Sequence, residues 1–374
     1  MIKKLALSVL FLILLQSGPI SGFTIEGVEN LGMGGAGTAV DSPKAPIYNP
    51  ALLGLREKFS LTIFDLPLTV SHDLTKAGLF IYKNMDKFSQ FSDLTQTEQD
   101  EILELAEYDM RIDLSAVNPS FYSGPYPLHT GARWWDMWWG MGFYNEVKVN
   151  PKLNVSQSLL VPTFDLSATA DGIVHLPLVF GVTYLPYGLP GDFYASVAPK
   201  YLFRTKVEEK RRSLADIENF TEELQNKNYK PGTGYGFDLG FYYRISDKFQ
   251  LGSTLKNLPG ITMSFPEDED QKIPVILNTG FTYLPFQKIT LTADLRDIKI
   301  EDFSQANFFT KLHLGAKINL TRLLCLRTGL YQGYPTAGFG IGNFFNYAFY
   351  GQELGNYPGD NPIWKHTVAL AIKI

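Results

Sequence analysis

Cysteine is almost absent from this sequence, which has one, Cys325, among 374 residues. A disulfide-stabilised scaffold is therefore excluded, because one cysteine cannot pair within the chain. Charged residues are also scarce, at 19% against about 25% in ordinary soluble domains. Intrinsic disorder is excluded as well, since it requires few aromatic residues and much charge, whereas aromatic residues here reach 14%.

Long hydrophobic runs are missing too, because no apolar run reaches the roughly 18–20 residues of a membrane-spanning helix. The longest run, Leu5–Leu15, follows Lys3 and Lys4 and precedes small residues, a pattern typical of a secretory signal peptide. We therefore expect residues 1–22 to be a signal peptide that is cleaved near Gly22. Without Lys3 and Lys4, 31 of the 33 basic residues remain against 38 acidic ones, a net charge of −7, which argues against a nucleic-acid-binding protein.

What the sequence does contain is a regular alternation of apolar and polar residues. In Tyr235–Ile245, aromatic and aliphatic residues occupy the odd positions, and glycine or charged residues occupy most of the even ones. Phe193–Val207 and Ile289–Leu295 repeat this pattern. A period of two predicts β-strands with one apolar face. The predicted strands of about 10–14 residues exceed the ~5–6 residues of soluble strands and are long enough to cross a bilayer at a tilt.

We expect these strands to form an all-β structure, a transmembrane antiparallel β-barrel over residues 58–374. Aromatic residues near strand ends would form interfacial girdles, and closure of the sheet would leave no unpaired edge in lipid. About fourteen strands are predicted, an even number as in bacterial single-chain barrels. They are 58–70, 112–123, 136–149, 157–170, 172–187, 191–207, 233–245, 248–257, 274–285, 288–298, 309–320, 323–332, 336–350 and 364–374. Turns are predicted at Asp171-Gly172, Ser246-Asp247 and Tyr334-Pro335.

Two segments have a helical rather than a strand periodicity. Residues 86–111 and 213–228 place apolar residues at intervals of three to four with acidic residues between them, as amphipathic helices do. We expect two loop helices there, which act either as a lid or partner-docking element or as solvated helices over the barrel mouth. The acidic run Glu267–Asp270 is interpreted as a solvated loop, because it lacks the spaced ligands of a calcium loop.

No motif indicates catalysis, a metal site or a cofactor. Gly32–Gly37 matches G-x-G-x-x-G, but the polar Glu26–Leu31 before it and Pro43 and Pro46 after it do not fit the strand and helix that dinucleotide binding requires. The five histidines share no metal-ligand spacing, and no nucleophile elbow or Cys/His signature occurs. Cys325 belongs to an alternating strand and is expected to face the lumen. We expect a protein that is not an enzyme.

The glycine-rich segment near the N-terminus contains the most specific motif. Gly32-Met33-Gly34-Gly35-Ala36-Gly37 is followed by the triplet Asn49-Pro50-Ala51. This pair of motifs resembles the opening of FadL-type outer-membrane proteins, a superfamily that includes fatty-acid and hydrocarbon transporters and the PorV-like proteins of type IX secretion. The resemblance implies that residues 23–57 fold inside the barrel as a hatch, or plug, with these nine residues as its gate. Glycine allows close backbone packing, and proline fixes the bend.

Two functions from different classes follow from this resemblance. The first is a plugged barrel that transports hydrophobic compounds, with a fatty acid or another apolar molecule as ligand. The second is a PorV-like barrel that anchors or shuttles exported protein partners, with the 86–111 and 213–228 helices as docking elements. Gly234–Gly260 and Gly329–Gly342 resemble that second branch. Both functions imply a bacterial outer-membrane location and contact with outer-membrane lipid.

Overall fold

The structure is a computed structural model, and it describes residues 26–42, 44–56, 59–75, 95, 110–115, 119–128, 136–157, 162–183, 191–213, 231–266, 269–301, 307–342 and 344–373. Within these ranges, no helix has the length and apolar character needed to cross a membrane. The predicted signal peptide, residues 1–22, lies outside the described residues. So do the predicted helices at 86–111 and 213–228, except for Thr95, which has no regular secondary structure, and for Met110, Arg111 and Ser213, which belong to strands.

The strands and helices are labelled in chain order. The strands are β1 (Ser60–Ser71), β2 (Met110–Ser115), β3 (Ser120–Leu128), β4 (Asp136–Gln157), β5 (Pro162–His175), β6 (Leu178–Thr183), β7 (Asp192–Ser213), β8 (Gly232–Arg244), β9 (Phe249–Leu258), β10 (Ile261–Met263), β11 (Gln271–Ile273), β12 (Ile276–Phe286), β13 (Ile289–Lys299), β14 (Leu312–Asn319), β15 (Leu324–Tyr331), β16 (Tyr334–Ile341), β17 (Phe345–Glu353) and β18 (Pro362–Lys373). The α-helices are α1 (Val28–Gly32), α2 (Ala45–Tyr48) and α3 (Phe308–Lys311), and a 3₁₀ helix covers Pro50–Leu55.

Sixteen of these strands form one antiparallel sheet that closes on itself as a barrel. Closure occurs between β1 and β18, where Thr69 lies opposite Thr367. Strands β2 and β3 share one position between β1 and β4, and β5 and β6 share one position between β4 and β7. The wall therefore has fourteen positions. The predicted fold class, a closed antiparallel barrel of about fourteen strands, is confirmed.

One predicted hairpin is wrong, the pair 157–170 and 172–187 with a turn at Asp171-Gly172. The chain remains extended there, and Asp171 lies in register between Lys148 of β4 and Arg204 of β7. The Asp171 carboxylate binds the Arg204 guanidinium at 2.6 Å, and Gly172 lies against the ring of Phe203. The cross-strand contacts therefore override the turn preference of an Asp-Gly pair, and the two predicted strands occupy a single position.

The opposite error occurs near the C-terminus, where one predicted strand corresponds to two, so the predicted number of strands still equals the fourteen wall positions. Residues 336–350 were expected as one strand, but they form the hairpin of β16 and β17. The chain reverses after Ile341, where Gly342 has a φ of 55°, a left-handed conformation that glycine adopts without strain. The turn predicted at Tyr334-Pro335 lies two residues earlier, at Gln332 and Gly333, which both have positive φ. The turn at Ser246-Asp247 is confirmed between β8 and β9.

The two faces of the wall differ as the alternation predicts. In β8, Gly234 and Asp238 are buried towards the lumen, whereas Tyr235 and Phe241 point outward and are 72% and 40% exposed. Cys325 is also buried and therefore faces the lumen. Further outward-facing apolar side chains with large exposure surround the barrel: Leu66, Leu68, Leu114, Leu178, Phe180, Leu251, Phe281, Leu291, Leu326, Leu330 and Leu370. The barrel thus presents an apolar exterior and a polar interior.

The long connections leave one end of the barrel. Because neighbouring positions are antiparallel, β1, β7, β9 and β13 all end on the same side, which we call the loop end. Short turns such as 287–288 join the strands at the opposite side, the turn end. The last residues of β1 and β7, Ser71 and Ser213, therefore both lie at the loop end.

A lipid-facing wall makes a measurable prediction for Leu68, which is 40% exposed and lies between Val368 and Leu114 in the wall. Leu68→Arg should lower the free energy of unfolding by about 2–4 kcal/mol, because lipid does not solvate the charge. A water-facing wall would give at most ~0.5 kcal/mol. Denaturant titration in lipid vesicles measures the difference. Gln287→Arg, in an exposed turn, is the matched control, and equal effects of the two substitutions would contradict a lipid-facing wall.

Candidate functional site: the N-terminal segment inside the barrel

Residues 26–56, here called the hatch segment, occupy the barrel lumen. The segment contacts the inner faces of strands on every side, from β15 to β18 through α1 and from β4 to β8 through the 3₁₀ helix. Asn30, Ala36, Thr38, Asn49 and Ala51 have no exposed surface at all. The hatch segment is therefore tightly packed against the inner wall of the barrel.

The glycine-rich turn of the hatch segment packs backbone against backbone on β14–β16. Gly34 and Gly35 have φ of 67° and 80°, and a side chain on Gly34 would overlap the Leu314 and Leu330 carbonyl oxygens. Thr336 Oγ1 accepts a hydrogen bond from Gly34 N at 3.1 Å and donates one to Gly32 O at 3.1 Å. This turn thus requires glycine both for its conformation and for its closeness to the wall.

The wall supplies glycines that match those of the hatch segment. A side chain on Gly252 would overlap Thr38 O, one on Gly315 would overlap Met33, and one on Gly240 would overlap the Asn49 side chain. These wall glycines lie on the lumen face, where the alternation placed them. Their partners could not be read from the alternation, because each partner lies some 190 residues or more away in the chain.

Asp294 of β13 holds the middle of the hatch segment. Its Oδ2 accepts hydrogen bonds from Gly37 N and Thr38 N, both at 2.7 Å. Hydrogen bonds to a carboxylate are about twice as strong as those between neutral groups. Sequence reasoning placed Asp294 on the polar face of its strand but assigned it no role, since an isolated aspartate in a strand has no recognisable motif.

Arg296, two residues further along β13, holds the start of the hatch segment. Its guanidinium binds Glu26 at 3.0 Å, donates to Gly35 O and lies 5.0 Å from the ring centre of Tyr48. Tyr331 OH donates to the same Glu26 carboxylate at 3.0 Å. Although buried, the arginine therefore has charged, polar and aromatic partners, as a buried cation requires.

Asn49, the first residue of the second motif, contacts Thr38, which directly follows the first motif. Its Nδ2 donates to Thr38 O at 3.1 Å and to Phe241 O of β8 at 2.8 Å, and its Oδ1 accepts from Ala51 N at 3.1 Å. The last contact caps the 3₁₀ helix, in which Pro50 is the first residue. The nine predicted gate residues all lie in the hatch segment but at two places on the wall, Gly32–Gly37 near β13–β16 and Asn49–Ala51 near β8. Their role as a gate stays a prediction.

The 3₁₀ helix packs on an apolar and aromatic part of the wall. Leu52 and Leu53, 0% and 2% exposed, lie in one cluster of side chains from the hatch segment and the wall. The other members are Ala45, Ala51, Leu55, Tyr122, Trp138, Val179, Tyr194 and Tyr242. This half of the hatch segment is therefore held mainly by apolar contacts, unlike the half that Asp294 and Arg296 hold.

Lys44 forms a further polar attachment. Its ammonium lies 3.2 Å from Glu146 of β4 and 3.6 Å from Asp65 of β1. These two strands are separated by the position in which β2 ends at Ser115 and β3 begins at Ser120. Burial favours the neutral amine, yet the Glu146 and Asp65 carboxylates hold the pKa of Lys44 above its usual value. The lysine therefore stays charged and connects the hatch segment to both strands.

The histidines that look isolated in sequence have different positions in the fold. His72 Nδ1 and His366 Nε2 lie 3.1 Å apart on the outer face near the seam of the barrel, and His175 and His313 are buried in the lumen. His129 lies outside the described residues. In the part of the chain that the structure describes, no group of three or more His, Cys, Asp or Glu side chains could hold a metal ion.

Comparison with known proteins gives matches in structure only. No family model and no curated protein matches the sequence. The fold is similar to that of the Ralstonia pickettii toluene transporter TbuX, with a TM-score of 0.49 and 13% identity over 93% of this chain and 97% of that one. It is also similar to the Pseudomonas putida toluene transporter TodX, with a TM-score of 0.47 and 12% identity over 96% and 98%. The CymD monoaromatic hydrocarbon channel matches with a TM-score of 0.45 and 9% identity over 93% and 96%. At such low identity and TM-score, any assignment of function depends on the geometry of this chain.

The matched glycines predict that Gly252→Val displaces the hatch segment without opening the barrel. The added side chain would overlap Thr38 O, and overpacking of this kind costs about 1–3 kcal/mol. Amide hydrogen exchange at Gly37 and Thr38 should become faster, whereas exchange in the wall strands should not change. Ser253→Val, on the opposite face of the same strand, is the matched control. Unchanged exchange in the Gly252→Val protein would show that the close approach is not needed.

The lysine attachment predicts a loss of stability in Lys44→Met. The substitution removes the ammonium that faces the Asp65 and Glu146 carboxylates, and breaking a buried ion pair from one side costs about 3–5 kcal/mol. The double variant Lys44→Met/Glu146→Gln should recover part of this loss, because one of the carboxylates becomes neutral. Denaturant unfolding of Lys44→Met, Glu146→Gln and the double variant tests the coupling. Additive effects would contradict a direct interaction.

Proposed function

We propose that this protein is a bacterial outer-membrane barrel that transports hydrophobic compounds and that residues 23–57 are its hatch. The observation that carries the proposal is the hatch segment itself, which fills the lumen through a closely fitted contact with the wall. A barrel that served only as an anchor would not need a separate chain segment matched to its interior. The motifs Gly32–Gly37 and Asn49–Ala51, which resemble those of FadL-type proteins, lie within this segment.

The two halves of the hatch segment are attached by different forces, which suggests how it opens. Charged groups at Asp294 and Arg296 hold residues 26–38. The 3₁₀ helix Pro50–Leu55 is held by apolar contacts and by the Asn49 side chain. We therefore expect the 3₁₀ half to move while the first half stays attached, since apolar contacts have no fixed direction and can be replaced by an apolar ligand.

An apolar cargo fits the surface that such a movement would expose. Under the 3₁₀ helix, the wall presents Tyr122, Val179, Tyr194 and Tyr242. Sites for small apolar molecules are lined mainly by aliphatic and aromatic side chains with a few polar groups, and the tyrosine hydroxyls are such groups. A fatty acid or a hydrocarbon of similar polarity is the ligand class that we infer.

The outer membrane is the proposed location. The outward apolar side chains match a lipid-facing wall, and bacterial barrels have long extracellular loops and short periplasmic turns. The loop end then faces the exterior, and the turn end faces the periplasm. Residues 1–22 would act as the export signal. For the alternative, a barrel that docks exported proteins, the part of the chain that the structure describes offers no specific contact.

Uptake measurements test the transport function. Cells that express the protein should take up a labelled fatty acid or a labelled monoaromatic hydrocarbon faster than cells that lack it. Asn49→Ala, which removes the side-chain bonds to Phe241 O and Thr38 O, should loosen the hatch and change the uptake rate several-fold, because each lost bond is worth about 0.5–1.5 kcal/mol. Ser246→Ala, in an exposed turn, is the control. Equal uptake with and without the protein, and no apolar compound in the purified protein, would contradict transport.

A further inference from the structure

The hairpin of β10 and β11 does not belong to the barrel wall. It lies between β9 and β12 at the loop end, and its two strands pair with each other as a separate two-stranded sheet, with Ile261 opposite Ile273. Two backbone hydrogen bonds connect it to β8, from Thr233 N to Ser264 O at 3.0 Å and from Ser264 N to Thr233 O at 2.9 Å. These bonds turn the hairpin back over the inner face of β8.

The apolar side chains of the hairpin are inserted into the lumen. Ile261 is 1% exposed and Met263 has no exposed surface. Both lie in one apolar cluster with Leu202 of β7 and Ile47 of the hatch segment, together with Tyr144, Ile173 and Ile273. The hairpin thus fills the lumen on the loop side of the hatch segment and contacts the hatch itself.

A row of glycines on β8 accommodates these side chains. A side chain on Gly234 would lie 2.7 Å from Ile261 Cγ2 and 2.8 Å from Met263 Sδ, and one on Gly236 would lie 2.6 Å from Ile261 Cγ1. Gly234 and Gly236 are consecutive residues on the lumen face, and at both positions an added side chain would first meet Ile261 of the hairpin. They form a recess in the wall that the hairpin fills. This explains the Gly-x-Gly-x-Gly pattern of residues 232–236.

The hairpin is held in this recess by few polar contacts. Besides the two backbone bonds to Thr233, Lys206 Nζ lies 4.3 Å from the ring centre of Phe265, and Arg204 Nη1 donates to Gln271 Oε1 at a long 3.4 Å. Apolar burial therefore supplies most of the attachment, and an apolar molecule can replace it.

A buried ring nitrogen without a hydrogen-bond partner lies beside the recess. His175 follows Ile173 on the same face of β5 and is 1% exposed. Its Nε2 lies 3.4 Å from the Asp238 carboxylate, whereas Nδ1 makes no hydrogen bond among the described residues. Buried polar groups without partners are rare, and a ligand with one hydroxyl group would supply one here.

We propose that the recess bounded by Leu202, Ile173, Tyr144, Ile47 and the β8 glycines is a binding slot for a compact apolar molecule with one hydroxyl group. The β10–β11 hairpin is its intramolecular occupant. A ligand that arrives from the loop end displaces Ile261 and Met263, and it then contacts Ile47 of the hatch. The role in uptake rests on the proposed transport function, whereas the slot and its occupant do not.

A reversible disulfide that holds the hairpin in the recess tests whether the hairpin and a ligand occupy the same place. Thr233 and Ser264 form a hydrogen-bonded antiparallel pair, a geometry that suits a disulfide. In a Cys325→Ser background, Thr233→Cys/Ser264→Cys should lose binding of p-cresol, a single ring with one hydroxyl group, when oxidised and regain it when reduced. Binding to the purified full chain in lipid nanodiscs is measured by calorimetry. Ser253→Cys/Thr279→Cys, a pair within the wall, is the control that should bind p-cresol in both states. Equal binding by the oxidised and reduced Thr233→Cys/Ser264→Cys protein would overturn the proposal.

A second measurement does not depend on ligand binding or transport. Leu202→Cys in the Cys325→Ser background should react slowly with a small thiol reagent, because Leu202 has no exposed surface. Adding Gly234→Val, which removes the space for Ile261 and Met263, should raise the labelling rate roughly tenfold. Tyr235→Val, on the outer face of β8, is the control. An unchanged rate would overturn the slot. Faster labelling in a protein that gives no uptake would support the slot and contradict transport.

Discussion

The structure depends on the need to fill a wide barrel. About eight strands enclose an interior that side chains alone can fill, whereas this wall has fourteen positions. The remaining space is occupied by backbone, from the hatch segment on one side and from the β10–β11 hairpin on the loop side. Backbone can approach a strand closely only where the strand carries no side chain. Glycines therefore occur in the wall where the hatch backbone meets it: Gly315 and Gly329 lie against Met33 and Gly34, and Gly252 lies against Thr38. The high glycine content of the chain follows from this packing.

Filling the lumen with backbone creates polar groups that need partners, and the wall provides charged ones. Asp294 accepts from two amides of the hatch, Arg296 binds both a carboxylate and a carbonyl, and Lys44 faces two carboxylates. Buried ion pairs contribute little net stability compared with apolar packing. The main effect of Asp294 and Arg296 is therefore to define where the first half of the hatch lies, and that of Lys44 is to define where the chain enters the second half. The second half, which has few such partners, is the part that apolar contacts hold. This division gives one chain segment both a fixed anchor and a movable end.

The hatch and the hairpin meet at Ile47, which lies in the same apolar cluster as Ile261 and Met263. A molecule that displaces the hairpin therefore changes the surroundings of the hatch before it reaches the turn end. This coupling requires only that the hairpin and the hatch segment pack against a common cluster. Because the cluster is tightly packed, removal of the hairpin side chains changes the packing around Ile47. The lumen is consequently filled by two elements in series, each fitted to its own row of wall glycines.

The sequence by itself determined most of the strands and their inner and outer faces, because a period of two is a local property of consecutive residues. The expectation that the glycine-rich segment lies in the lumen came from a family resemblance of its motifs. The sequence also led to the correct number of fourteen positions, but only because two errors compensated. Asp171-Gly172 has the local signature of a turn and lies within a strand, and residues 336–350 have the signature of a strand and contain a turn. Tertiary structure alone decided which glycine meets which backbone atom, that Asp294 and Arg296 hold the hatch, and that the β10–β11 hairpin enters the lumen. These contacts join residues far apart in the chain and form only when the barrel is closed. They therefore produce no local pattern in the sequence.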